Sequence, residues 1–400
     1  MKIYRPLAEG IVQNLLLVFN GNQQADRVVS ESLKSNKKWG SRDRNFVAEN
    51  TYDIIRWWRL LKYSAEINER KITDESLFWK MLGTWFLIND YSLPEWEEFE
   101  GLDAVKVKNK QKEALEIRKV RESIPDWLDE IGENEVPNWE AEIGALNQKA
   151  ELFIRVNSLK VEVEALQDML LAEGLETETV EGLPWALKVV KRAKLDHLKA
   201  YRKGFFEVQD AGSQSIAEFL MATPGMEVVD ACAGAGGKAL ALAGFMENEG
   251  QILALDIHVK KLDELKKRAL RNGVGILEVE KIGQQTVHKY QSRFDRVLLD
   301  VPCSGLGVLK RKPDTKWKLK PQFLENIKAT QAQILQDYSR MLKPNGKLVY
   351  ATCSVLQSEN QDQIEHFLAE NPDFILEEER FLSPSETGFD GFYMARLSRA

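Results

Sequence analysis

The chain has 400 residues, 44% of them hydrophobic, a net charge of −7 and three cysteines. That length supports two or three domains with a large buried core. No apolar run approaches the ~20 residues of a bilayer span, no basic-then-apolar secretory signal opens the chain, and an odd cysteine count without CxxC spacing speaks against a disulfide framework or a zinc site. A cytoplasmic protein with reduced thiols, no membrane association and no metal is expected.

Residues 4–91 show helical periodicity, with Phe46, Asn50, Ile54, Trp57 and Leu61 at spacings of three and four, which predicts a small bundle. Trp57, Trp58, Trp79 and Trp85 read as its core rather than as a base-stacking platform. Residues 92–150 are acidic and interrupted by Pro94, Pro125 and Pro137, the pattern of a linker or a looser helical extension. A strand at 153–157, a helix at 161–173 and a strand at 186–190 predict a small α/β unit. Lys188, Lys191, Arg192, Lys194, Lys199, Arg202 and Lys203 form a basic run at its end, which by itself reads as a solvated face.

From residue 205 onward, strands near Val228, Leu253, Glu278, Val297 and Val349 alternate with helices such as 258–272 and 321–341. This predicts a mostly parallel sheet covered by helices on both faces. The set Ser358-Glu359-Asn360-Gln361 reads as a capping box opening the helix after Cys353. The expected division is a helical domain with its acidic linker at 1–142, a small α/β unit at 143–207 and a large α/β domain at 208–400.

The first strand of the large domain runs into Cys232-Ala233-Gly234-Ala235-Gly236-Gly237-Lys238. Glycines let backbone approach a ligand and expose amide donors at a helix start. Cys232 and Ala239 stand where a P-loop requires Gly and a hydroxyl residue, so that reading fails. Gly234, Gly236 and Ala239 match a dinucleotide fingerprint, with Asp256 ending the next strand to hold ribose hydroxyls. The same pattern serves S-adenosylmethionine, and the turn alone does not choose between the two.

Cys303, in Asp300-Val301-Pro302-Cys303-Ser304-Gly305, and Cys353, in Thr352-Cys353-Ser354, both follow buried-strand patterns. Both thiols are therefore expected at strand carboxyl ends, where open α/β sheets build their sites. Cys232 reads as a packing residue. Lys310, Arg311, Lys312, Lys316 and Lys318, with Trp317 among them, follow Cys303 closely. They form a candidate RNA-binding loop, because basic side chains neutralise phosphates.

Three segments, the turn Asp230–Lys238, the strand and loop Phe294–Gly305, and Tyr350–Ser354, resemble motifs of the RNA 5-methylcytosine methyltransferases of the Sun family. The likeness extends to residues 208–214, 313–317 and 388–393 and covers roughly residues 152–399. In the helical domain, Ser41–Val47 resembles the NusB-like domain of bacterial ribosomal-RNA members. The resemblance implies a Rossmann-like domain that uses S-adenosylmethionine to methylate cytosine C5 in RNA, ribosomal RNA of the small subunit before tRNA, with a catalytically silent assembly factor as the rival from another class. It assigns nucleophilic attack on C6 to Cys353, enzyme release to Cys303, base and charge contacts to Asp300, and thiolate support to Lys238. Cofactor contacts fall to Cys232, Ala233, Gly234, Ala235, Gly236, Gly237, Lys238, Asp256, Asp300 and Gln284, which stands where the family carries an acidic residue. A monomer is expected.

Overall fold

The computed structural model describes residues 3–67 and 75–400. The chain divides into two compact units, Met1–Gln148 with Leu309–Lys320, and Lys149–Val308 with Pro321–Ala400.

The first unit is helical, with long helices at Arg5–Phe19, Ser41–Arg56 and Glu75–Ile88. Apolar side chains recurring once per turn, such as Leu7, Ile11 and Leu15, bury one stripe of each helix in a shared core. Trp58 and Trp79 lie inside that core, and Trp57 and Trp85 pack on its edge. The acidic stretch is built of short helices, Ala104–Ala114, Arg118–Arg121, Asp126–Glu135 and Trp139–Leu146.

The second unit opens with a four-stranded antiparallel sheet of β1 (Phe153–Val156), β2 (Thr177–Val180), β3 (Leu183–Val189) and β4 (Phe206–Val208), in the order β2-β3-β1-β4. The predicted strands correspond to β1 and β3. Strand β2 has little apolar content to announce it, and β4 is only three residues long.

A seven-stranded sheet follows, made of β5 (Glu227–Asp230), β6 (Gln251–Asp256), β7 (Leu277–Lys281), β8 (Phe294–Asp300), β9 (Leu342–Thr352), β10 (Phe374–Leu382) and β11 (Phe392–Arg399). Its order is β10-β11-β9-β8-β5-β6-β7. Strands β9, β8, β5, β6 and β7 are parallel, and β11 enters antiparallel between β9 and β10. The period of two along a strand separates the faces: Leu298 joins a core with the helices Ala211–Phe219 and Gly237–Phe245, while Val297 and Leu299 join one with Pro321–Tyr338 and Gln361–Glu370. The chain leaves β5 toward β6 and β7, then returns to β8 on the other side of β5. That reversal opens a crevice at the carboxyl ends of β5 and β8, the usual ligand position in such sheets.

Among the described residues, no helix is long and apolar enough to cross a membrane, and no cluster of three or more His, Cys, Asp or Glu could hold a metal ion.

Candidate active site

Strands β8 and β9 lie side by side, with Asp300 opposite Ala351. Each then turns into a cysteine loop, and the Cys303 and Cys353 Sγ atoms stand 3.2 Å apart. From the far side of β5, Lys238 in the first turn of the helix Gly237–Phe245 reaches across. Its Nζ lies 2.6 Å from Asp300 Oδ2. The four residues expected to carry the chemistry thus meet at one end of the sheet.

Their charges are interlocked. The hydrogen bond with Cys353, and then burial, push the Cys303 thiol well above the ordinary cysteine value, so Cys303 keeps its proton, and either sulfur can be the donor in the contact between them. Burial opposes the Lys238 ammonium, but the charge and hydrogen bond of Asp300 prevail, and Lys238 stays above the ordinary lysine value with Cys353 among the groups that raise it. Burial among Asp230, Asp300 and Asp256 pushes the Cys232 thiol up. Its thiol therefore stays neutral.

Both cysteine loops close on one carboxylate that sequence reasoning assigned elsewhere. Glu359 is fully buried; its Oε1 accepts from the Ser304 and Ser354 hydroxyls, and its Oε2 from the Ser304 amide at 2.8 Å and Gln331 Nε2 at 2.9 Å. The capping-box expectation is therefore corrected. The helix Gln361–Glu370 starts after Asn360 without a side-chain cap, because the Asn360 side chain is engaged by the Thr352 hydroxyl and the Ser354 carbonyl. A Ser directly following each cysteine, with Glu five residues beyond the second, is the signal that could have revealed it. Beneath Cys353, Gly307 N–H donates to the Cys353 carbonyl and Gly391 N–H to the Gly307 carbonyl. A Cβ on Gly307 would stand 2.1 Å from the Gly391 oxygen, so only glycine permits that approach.

On the cofactor side, Asp256 Oδ2 accepts from the Gly234 amide and Oδ1 from the His258 amide, at 2.9 and 2.7 Å. Asp256 shapes the turn as well as ending β6. Gly236 has φ +84°, and an added Cβ would lie 1.9 Å from Leu265 Cδ1, which fixes glycine there. Gln284 is exposed in the loop after β7. Ile257, which the motif reading passed over, is an exposed apolar side chain directly after Asp256.

The basic loop departs from expectation. Leu309–Lys320 belongs to the helical unit. Lys316 is fully buried, its Nζ 2.9 Å from Asn147 Oδ1, and burial, then the Arg56 charge, hold it well below the ordinary lysine value. Lys310 is buried too, its carbonyl accepting from Arg56. Trp317 donates its indole N–H to the Ile55 carbonyl at 2.7 Å, and Lys318 pairs with Asp314 at 2.8 Å. Lys310, Lys316, Trp317 and Lys318 are therefore packing residues. Arg311 is half-buried, and Lys312 is exposed. Lys191, Arg192, Lys194, Lys199, Arg202 and Lys203, by contrast, are exposed.

The family profile described as 16S rRNA methyltransferase RsmB/F matches residues 217–398, and that of the RsmF/B-like ferredoxin-like domain matches 124–196. Ribosomal RNA small subunit methyltransferase B of Pasteurella multocida is 35% identical over 293 residues, 69% of this chain and 65% of that protein. The protein of Synechocystis sp. described as a probable ribosomal RNA small subunit methyltransferase B is 33% identical over 299 residues, 70% of this chain and 67% of the relative. The chain belongs to the RsmB/F methyltransferase family. It spans about two thirds of the length of these curated relatives. The crystal structure of PH0851 has the same fold over 100% of both chains, with a TM-score of 0.85 at 22% identity. NSun6 from Pyrococcus horikoshii, solved with SFG, covers 70% of this chain and 99% of its own at a TM-score of 0.64 and 21% identity.

The cofactor of this family is S-adenosylmethionine, and the turn fits it. A Cβ placed on Gly234 would meet no protein atom within 4 Å, so the backbone there borders open space, and the helix start at Gly237 adds unpaired amide donors.

Proposed function

We propose that the protein is an S-adenosylmethionine-dependent RNA cytosine-C5 methyltransferase acting on small-subunit ribosomal RNA through a covalent cysteine adduct. The observation that carries this reading is the pair of thiols 3.2 Å apart beside the Lys238–Asp300 ion pair. Cytosine C5 is a weak nucleophile. Cys353 Sγ bonds to C6, and the electrons of the C5–C6 double bond move into the ring so that C5 can attack. Asp300 accepts from the base and offsets charge developing on the ring, while the Lys238 ammonium favours the attacking thiolate. S-adenosylmethionine supplies an electrophilic methyl group. After C5 takes it and S-adenosylhomocysteine leaves, a water molecule accepts the C5 proton, the C–H electrons re-form the C5–C6 double bond, the S–C6 bond breaks, and Cys353 leaves as thiolate beside the Cys303 thiol.

The phosphate contacts fall to the exposed basic side chains on the small sheet's unit, Lys191, Arg192, Lys194, Lys199, Arg202 and Lys203. The test is incubation with labelled S-adenosylmethionine and undermodified small-subunit RNA. Label at cytosine C5 is expected, abolished with all adduct in Cys353→Ala, while Cys303→Ala accumulates a covalent RNA adduct. Binding without transfer would leave an assembly factor instead, and adduct in Cys353→Ala would exchange the two thiols.

A further inference from the structure

The carbonyls of the glycine turn are held from outside the large sheet. Arg155, on β1 of the small sheet, is buried, and its Nη1 donates to the Gly237 carbonyl at 2.6 Å and to Gln209 Oε1 at 2.5 Å. Arg268, on the helix Val259–Asn272, donates to the Ala235 carbonyl at 2.6 Å and pairs with Glu207 Oε2 at 2.9 Å. Glu207 stands opposite Arg155 in the β1–β4 register, and its Oε1 also accepts from Asn272 and Arg271.

A guanidinium taken out of water without a carboxylate in direct contact is costly. Burial draws Arg155 down to about 10, and the Glu207 charge restores only part of this. The positions of the two carbonyls explain what that arrangement accomplishes. A peptide unit is planar, so fixing the Ala235 oxygen fixes the Gly236 N–H, and fixing the Gly237 oxygen fixes the Lys238 N–H. The basic segment is joined to the same network, because Lys160 Nζ donates to the Lys203 and Arg271 carbonyls at 3.0 and 2.6 Å.

We propose that Arg155, Glu207 and Arg268 are positioning residues for the cofactor turn, by which the small sheet sets S-adenosylmethionine affinity. This rests on the methyltransferase reading for the identity of the ligand. It does not rest on that reading for the ordering of the turn.

The experiment pairs hydrogen exchange with direct S-adenosylmethionine titration and steady-state kinetics on the full chain. In Arg155→Met and Arg268→Gln, amides 234–238 should exchange faster without any ligand. Cofactor binding should weaken about tenfold, the effect of losing one charged hydrogen bond, with KM for S-adenosylmethionine raised and kcat at saturation and KM for RNA near wild type. Arg155→Lys should recover part of the affinity. Unchanged exchange and unchanged affinity in either folded variant would overturn the proposal, and Arg268→Gln, at a less buried position, serves if Arg155→Met does not fold. Wild-type protein that fails to bind S-adenosylmethionine would overturn the functional reading and the affinity claim together, whereas binding by the wild type and equally by the variants overturns this inference alone.

Discussion

Glu359 shows how one buried side chain can tie two separate loops together. Its two oxygens accept four hydrogen bonds from the loops of both cysteines and from Gln331, so the 3.2 Å sulfur separation depends on it. Glu359→Gln replaces one acceptor oxygen with a donor facing donors. A loss of about 3 kcal/mol in folding stability is expected, the order of breaking a buried charged network, together with slower single-turnover methylation and unchanged RNA affinity. Urea denaturation and rapid-quench assays check this, and wild-type values in both would reduce Glu359 to filler. Asp230 carries a different consequence. Its carboxylate is buried, and burial, followed by the Asp300 charge, pushes it up to about 7 against the opposing Lys238 charge and the Cys232 amide. The folded chain keeps a proton that the unfolded chain releases near pH 4, so this group makes stability fall as pH rises from about 4 toward 7. Asp230→Asn cannot titrate and should flatten that slope in thermal midpoints taken from about pH 5 to 8; an unaltered slope would assign it to other groups. The positions of Cys303 and Cys353 were legible because each follows a buried-strand pattern, whereas Asp300 and Lys238 entered through the likeness of their motifs to a known family. Glu359 was not legible, since a local capping pattern competes with a contact made across the fold.

At the scale of elements, the parallel pairing of β8 with β9 does most to build the site, and its apolar runs announce it plainly. Strands β10 and β11 escaped the strand count: Glu377, Glu378, Glu379 and Arg380 give β10 a polar character that an edge strand tolerates and a buried one does not, whereas β11 carries the buried apolar run Phe392–Ala395 and was read only as part of a closing motif. The basic loop was misread for a related reason: charge is visible in a sequence, whereas burial is set by what packs over it. Lys316→Met should therefore leave the salt dependence of RNA binding unchanged. Removing charge at Lys191 and Arg192 together should lower the slope of log affinity against log salt by roughly 1–2. Filter binding across a salt series decides between the two surfaces, and a slope that responds only to Lys316 would restore the loop as the RNA contact.

At the scale of the molecule, the division of labour follows chain topology. Length and alternation of strands with helices predicted the large α/β domain and a smaller α/β unit before it, but the return of Leu309–Lys320 to the helical unit has no periodic signal. Twelve residues with mixed charge resemble any surface loop until the groups that receive them are known. That return also has a temporal side. Protein synthesis delivers the amino-terminal helices first, yet the Ile55 carbonyl meets the Trp317 indole, and Asn147 meets the Lys316 ammonium, only after residues 149–308 have left the ribosome. The earliest portion to be translated is thus among the last to be sealed.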